Sequence, residues 1–306
     1  MRKKEKLKIL IIGFGSIGQK HAKVLKNFKD IKIRVLSSQK KIPYKKLSNL
    51  AEAISYDPKY IIIASVTSLH FKYLKFIEEH FSKKLVLVEK PLFDKSKILP
   101  FKKNHYFVGY NLRFHPIIQL LKRKFSNTKA NFVKVNCSSY LPDWRNNINY
   151  SKSNSAKKTK GGGVLLELSH ELDYLTWIFG DIFINYVFND KISNLKIDTD
   201  DILLLNGRTK TKKTIINASL NFFSRVKKRE IQVESNNLSI FADLINCKLI
   251  IYKNKSKKIY TWKKITTLET LKREHIAMLK SKFTDLCSIS EALKVQKLIK
   301  NILLAR

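Results

Sequence analysis

The sequence predicts an α/β protein in two domains: a parallel sheet covered by helices, followed by an α+β domain with an open, mostly antiparallel sheet. Three observations predict it. In the first third of the chain, short apolar runs alternate with segments of helical period, the pattern of parallel strands joined by crossover helices. From about residue 117 the apolar period becomes two, which marks strands with one buried and one wet face. Finally, the first apolar run, Ile9-Leu10-Ile11-Ile12, passes straight into Gly13-Phe14-Gly15-Ser16-Ile17-Gly18 and then into a helical pattern.

The elements follow in order. Strands are expected at Lys8–Ile12, Lys32–Leu36, Tyr60–Ala64, Leu85–Val88 and Tyr106–Tyr110. Helices are expected at Ser16–Phe28, Ala51–Ile54 and Ser68–His80; in the first, Ile17, Ala22, Leu25 and Phe28 recur at roughly the 3.6-residue period. Ile61-Ile62-Ile63-Ala64 is continuously apolar, as a strand buried on both faces must be. Further on, Val133, Val135 and Cys137 alternate with polar residues, as do Ile216, Ala218, Leu220 and Phe222, and Ile231 and Val233. A helix over Gly163–Phe179 interrupts these strands, and helices over Thr267–Phe283 and Ser290–Leu304 close the chain. Asn146–Lys160 is polar and reads as a long loop, a common place for function.

The glycine motif gives the first domain its chemistry. Gly13 permits a tight turn, Gly15 lets a pyrophosphate approach the backbone, and Gly18 lets the helix pack close to the sheet. The helix start then offers free N–H groups and a positive dipole to a phosphate, with Phe14, Ser16 and Ile17 in the loop. Residues 1–116 therefore read as a Rossmann-type dinucleotide-binding domain. Residues 117–306 read as a substrate-binding and oligomerisation domain, whose last helix is expected to pack back on the first.

Composition bounds the alternatives. The chain has 306 residues, 44% hydrophobic, enough for two cores and unlike a disordered chain. Its net charge is +37, yet only ten of its 61 basic residues are arginine and the lysines are scattered from end to end. Readers of nucleic acid use Arg at base edges and cluster their charge, so no specific nucleic acid is expected. A Lys, Asn and Ile bias explains the charge, and a basic surface still favours anionic small molecules. Cys137, Cys247 and Cys287 lie far apart, without metal-binding spacing, so a reduced, cytoplasmic setting is expected. The basic start before Lys8 superficially resembles a signal peptide, but its apolar run is too short and ends in the phosphate loop. No segment has the roughly 18 apolar residues of a membrane span, and no membrane partner is expected.

Three further motifs sit where parallel strands end, the edge that binds ligands in such sheets, or on the helix of the second domain. They are Ala64-Ser65-Val66-Thr67-Ser68-Leu69-His70, Glu89-Lys90-Pro91, and Gly161-Gly162-Gly163 leading to Glu167, His170 and Asp173. Together with Gly109-Tyr110-Asn111-Leu112-Arg113-Phe114-His115-Pro116, they make the chain resemble the Gfo/Idh/MocA family of NAD(P)-dependent sugar oxidoreductases over nearly its whole length. Tyr140-Leu141-Pro142-Asp143-Trp144-Arg145 resembles a subgroup of bacterial surface-sugar pathways.

The resemblance implies hydride transfer to or from a sugar or nucleotide-sugar. Lys90 would be the active-site lysine beside the nicotinamide ribose, and His170 the acid/base on the substrate hydroxyl. Relatives often carry Asp four residues before that His; here Leu166 stands there, and Glu167 lies three residues before, on the same helix face. Val66 replaces a usual Pro. Homodimers or homotetramers are implied, and a monomer by light scattering would count against this.

Proton transfer works best with a pKa near the working pH. His starts at about 6.5 and Lys at about 10.4, and a cationic nicotinamide would lower the latter. Arg113, Trp144, Arg145, Tyr150 and Asp173 are the expected substrate contacts, Arg for its bidentate fork. Ser65, Thr67, His70 and Glu89 are expected near the cofactor. No acid follows the second strand in Leu36-Ser37-Ser38-Gln39-Lys40-Lys41; Ser37, Ser38 and Lys40 favour the 2′-phosphate of NADP over NAD. Glu167 and His170 form E-x-x-H, but a carboxylate-bridged metal site needs a second such motif, so no metal is expected.

Bland readings stand beside these. Lys90 reads as a surface lysine before a turn, His170 and His70 as packing histidines, and Glu167 and Asp173 as helix-pairing or capping acids. Arg113 and Trp144 read equally as packing. For the whole chain the rivals are a catalytically inactive NAD(P)-binding sensor or accessory protein, supported by Leu166, and a basic nucleic-acid-binding protein.

Overall fold

A computed structural model describes residues 5–93, 99–145 and 149–305. Its elements are β1 (Leu7–Ile12), α1 (Ser16–Leu25), β2 (Ile31–Leu36), β3 (Lys45–Leu47), α2 (Leu50–Tyr56), β4 (Tyr60–Ile63), α3 (His70–His80), β5 (Leu85–Val88), β6 (His105–Val108), α4 (Pro116–Phe125), β7 (Phe132–Tyr140), α5 (Val164–Glu167) and α6 (Ser169–Phe179). There follow β8 (Ile182–Asp190), β9 (Ile202–Thr209), β10 (Ile215–Asn221), β11 (Phe223–Glu234), β12 (Ser239–Asp243), β13 (Lys248–Lys253), β14 (Ser256–Thr261), α7 (Thr267–Leu279), β15 (Cys287–Ser288) and α8 (Ile289–Leu304). They fall into two compact units, Met1–Asn111 with Thr266–Ala292, and Leu112–Ile265 with Leu293–Arg306.

The first unit holds a seven-stranded sheet in the order β15-β6-β5-β4-β1-β2-β3. From β3 to β6 it is parallel, and β15 adds an antiparallel edge to β6. Ile9 to Ile12, Tyr60 to Ile63 and Val86 to Val88 are essentially inaccessible, which is why these stretches are apolar but for the Tyr60 hydroxyl. The chain builds outward from β1 on one side to β2 and β3, then on the other to β4, β5 and β6. β1 and β4 therefore flank the point where strand order reverses, the ligand crevice of open parallel sheets.

The second unit's eight-stranded sheet runs β14-β13-β12-β11-β7-β10-β9-β8. Every pairing is antiparallel except β7 with β10. The expected alternation falls on one buried face: Val135 registers with Ala218 and Ile231, and Ile231 with Ala242, all buried. The opposite face carries the row Asn206, Asn217, Lys134, Gln232 and Phe241.

Several boundaries differ from expectation. The first helix stops at Leu25 rather than Phe28, where a turn leads to Asp30 in the left-handed region at φ 58°. α2 is longer than Ala51–Ile54 because Asn49 caps it, accepting from the Glu52 N–H. A 3-10 turn at Thr67–Leu69 precedes α3. β3 and β15 were not expected, being too short to show a period. The helix expected over Gly163–Phe179 is two helices, broken at Leu168 (φ −97°, ψ 25°). α7 ends at Leu279 rather than Phe283. The Asn146–Lys160 loop contains three 3-10 turns from Tyr150 onward; residues 146–148 lie outside the described residues.

Candidate functional site

The glycine loop lies at the reversal point of the first unit's sheet. Gly13 has φ +92°, and a Cβ there would lie 2.6 Å from Ala64 O and Ser65 N, so the loops leaving β1 and β4 meet with no room for a side chain. A Cβ on Gly18 would collide with the carbonyl oxygen of Gly13. Gly15 is different: nothing lies within 4 Å of the place its Cβ would take. It is also the N-cap of α1, without a side-chain cap and with no acid in the first turn. Open backbone before uncapped N–H groups fits the pyrophosphate of a dinucleotide. Phe14 is buried edge-on against Tyr44, while Ser16 is exposed and Ile17 half-buried.

The other cofactor candidates fall at the carboxyl ends of β2, β4 and β5. Ser37 is half-buried and accepts from the Gln39 N–H, and Ser38 and Lys40 are exposed. Ser65 and Thr67 are half-buried. His70 is fully buried: its Nδ1 lies 3.2 Å from the carbonyl oxygens of Pro91 and Leu92, and its Nε2 3.2 Å from that of Ser65. It ties the loop after β5 to the loop after β4, so its ring is spent on backbone rather than presented to a ligand. Lys90 is half-buried at the end of β5. Glu89 turns into the unit's interior, where Oε1 accepts from His21 Nε2 at 2.8 Å. A Cβ on Gly109 would lie 2.8 Å from that same oxygen, so Gly109 is needed for Glu89 to sit there.

The sequence reading missed what lies behind Glu89. His21 Nδ1 is 2.9 Å from His275 Nε2, and His275 Nδ1 is 2.9 Å from the Tyr60 hydroxyl; all three residues are fully buried. His21 had a signal, three residues past Gly18 on the same helix. His275, on α7, had none.

Burial, reinforced by His21, holds the His275 pKa well below the usual imidazole value, and burial likewise lowers that of His70. Unfolded, both titrate near 6.5. The native state then binds fewer protons, so their stabilisation is complete above about 6.5 and is lost progressively as pH falls from there toward their lowered native values. The melting temperature is expected to fall between about pH 7 and about pH 5.5, before most carboxylates titrate. A flat melting temperature across that interval would contradict this assignment.

The remaining candidates are in the second unit. Gly163, at φ +106°, opens α5, and a Cβ there would strike the Asp200 carboxylate. That carboxylate caps the helix through the Leu165 N–H at 2.8 Å. Glu167 ends α5, where its Oε1 accepts from Ser155 Oγ at 2.6 Å. His170 is half-buried in the first turn of α6. Ser155 also lines a shallow, solvent-open pocket with Leu141, Pro142, Trp144, Arg145, Tyr150 and Ser153. Three expected substrate residues thus share one pocket, with Glu167 one hydrogen bond away. Trp144 is held there by its Nε1–H donating to Ser139 Oγ and by edge contact with Phe222. The Tyr150 hydroxyl accepts from the Lys196 N–H.

Arg113 and Asp173 are placed elsewhere. Both are about 1% exposed; Arg113 Nε and Nη2 donate to the Asp173 carboxylate at 2.9 and 2.8 Å, and the guanidinium stacks on Trp177. This is a buried bidentate pair in the core of the second unit.

Residues 7–98 match the Gfo/Idh/MocA oxidoreductase family with its NAD-binding Rossmann fold. No curated protein matches the chain. Among solved structures it is similar to UDP-N-acetylglucosamine 3-dehydrogenase GnnA from Acidithiobacillus ferrooxidans (TM-score 0.78, 16% identity, 99% of this chain and 98% of that one). It is similar to levoglucosan dehydrogenase in complex with NADH and L-sorbose (0.79, 15%, 98% and 96%). It is also similar to a super-repressor mutant of Gal80p from Saccharomyces cerevisiae (0.80, 12%, 98% and 95%). At these identities the likeness establishes a shared fold. No helix among the described residues is long and apolar enough to cross a membrane.

Proposed function

We propose that this chain, whose residues 7–98 match the Gfo/Idh/MocA oxidoreductase family, transfers a hydride between a nicotinamide dinucleotide and a hydroxyl or keto carbon of a sugar or nucleotide-sugar. One observation carries this reading. The open Gly15 cradle, the uncapped start of α1 and Lys90 all lie at the carboxyl edge of one parallel sheet, where its strand order reverses. The dehydrogenases that share the fold act, by their names, on a nucleotide-sugar and on an anhydrosugar.

The bound dinucleotide accepts or supplies the hydride. The chain's own groups do the rest. Lys90 and His170 position the reacting hydroxyl and move its proton, and Glu167, oriented by Ser155, supports them. Trp144 and Tyr150 offer flat faces to a sugar, and Arg145 a fork to an anionic group. Ser37, Ser38 and Lys40, with no acid beside them, favour NADP over NAD.

Separate titrations with NADPH and NADH, followed by nicotinamide fluorescence, test the cofactor site. One charge-assisted contact to the 2′-phosphate, at about 1.5–3 kcal/mol, separates the two by roughly ten- to a hundredfold. Preference for NADH would reverse the cofactor choice, and no binding of either would overturn the reading. A second reading, a dinucleotide-binding regulator, is favoured by Leu166 and by the likeness to Gal80p. It predicts cofactor binding without turnover on any sugar or nucleotide-sugar, whereas the proposed enzyme turns over at least one.

A further inference from the structure

Four buried polar side chains form a line through the first unit: Glu89, His21, His275 and Tyr60, at successive separations of 2.8, 2.9 and 2.9 Å. They come from four elements. Glu89 follows β5, immediately before Lys90; His21 is on α1, whose N-terminus is the phosphate cradle; His275 is on α7; Tyr60 begins β4. No ligand role explains them, because all are interior.

The hydrogens can be assigned from the partners. If the Tyr60 hydroxyl donates to His275 Nδ1, then His275 Nε2–H donates to His21 Nδ1, and His21 Nε2–H donates to the Glu89 carboxylate. Every ring nitrogen then meets a complementary partner. The reverse order needs the Glu89 carboxyl to donate to His21 Nε2, which a carboxylate cannot do, and turns the Tyr60 hydroxyl proton away from His275. The run is therefore directed: three donors in series, each polarising the next, end on one carboxylate. Glu89 Oε2 in turn lies 3.3 Å from the Lys90 backbone N–H. On the far side of Lys90, His70 faces the Pro91 and Leu92 carbonyls. Buried histidines thus hold the residues on either side of Lys90, His21 through the Glu89 carboxylate and His70 through the Pro91 and Leu92 carbonyls.

We propose that His21, backed by His275 and Tyr60, is a positioning residue that sets the Glu89-Lys90 segment against the phosphate-binding helix. This rests on the assignment of Lys90 to the reaction, but its test reads Lys90 without turnover. The test compares the full-length protein with His21→Gln, which keeps a donor where Nε2 stood, and His21→Leu, which keeps bulk alone. Acetylation by acetic anhydride across pH, resolved peptide by peptide, reports Lys90 against the exposed Lys253.

His21→Leu is expected to change the Lys90 rate or midpoint at least threefold with Lys253 unchanged, and His21→Gln to restore the unaltered profile. Equal changes at both lysines, or Gln behaving like Leu, would overturn the positioning role and leave only packing. Should His21→Leu fail to fold, ring 15N shifts of the unaltered protein decide. Neutral Nε2–H rings at both His21 and His275 support the directed run, and a charged ring or the other tautomer at either one overturns it. If Lys90→Ala retains full hydride transfer, the functional reading fails on its own, and the acetylation result still stands or falls separately.

Discussion

Replacing Lys90 with alanine is expected to lower kcat by about 10²–10⁴-fold, the range a positioned proton-transfer group contributes, while NADPH or NADH binding changes by no more than about threefold. The split follows from where the residues lie. The proposed pyrophosphate cradle is backbone at Gly13, Gly15 and Gly18, in the loop between β1 and α1. Lys90, half-buried at the end of β5, lies at the same sheet edge but on another strand. A loss confined to kcat and kcat/KM together identifies an interaction made in the transition state. Lys90→Arg is expected to be nearly as poor, since a guanidinium keeps its charge but does not give up a proton near neutral pH. Initial rates over a panel of nucleotide-sugars, with fluorescence titration of each variant, measure both quantities. Full activity in Lys90→Ala would remove the proposed mechanism.

The largest loss of stability is expected at Arg113. Its guanidinium and the Asp173 carboxylate are both about 1% exposed and joined by a two-pronged contact. Arg113→Met takes a bidentate guanidinium away from a buried carboxylate, and breaking such a pair costs about 3–5 kcal/mol. For a unit of this size that lowers the melting temperature by about 6–20 °C. The double variant Arg113→Met with Asp173→Leu is expected to recover most of the loss, because replacing both partners with apolar side chains removes the buried carboxylate as well. If the single variant melted with the unaltered protein, the pair would not be the buried structural element seen here. Recovery in the double variant would further separate a structural pair from substrate contacts, because cofactor binding should be unaffected throughout.

The two residues also show where sequence reading ended. An Arg beside an aromatic stretch and an Asp three residues past a candidate acid/base have the chemistry of substrate recognition. They are 60 residues apart, and nothing local to either says that they meet. Glu89 and Lys90 are neighbours in one motif, yet one faces His21 in the interior and the other stands at the sheet edge. Consecutive residues at a strand end point in opposite directions, but the choice of direction is made by what lies on each side. Gly109 makes the space for Glu89, and it lies on the next strand segment. The sequence reads as one helix over Gly163–Phe179, through Glu167 and His170. Its break at Leu168 accompanies a cap from Asp200, which lies 35 residues past Leu165 in the chain.

By itself the sequence determined the α/β class, the parallel strands of the first unit, the period-two strands of the second and the tight glycine turn from β1 into α1. All of these rest on periodicity or on a few adjacent residues whose backbone geometry is local. Tertiary structure alone decided the strand order that puts β1 beside β4, the placing of β15 in the first sheet, and the parallel pairing of β7 with β10. It also decided which polar side chains are spent on each other: Arg113 on Asp173, His21 on Glu89 and His275 on Tyr60. The physical reason is the same in each case. A buried donor or charge is stabilised only by the partner that chain closure brings to it, and that partner's distance along the sequence leaves no local trace.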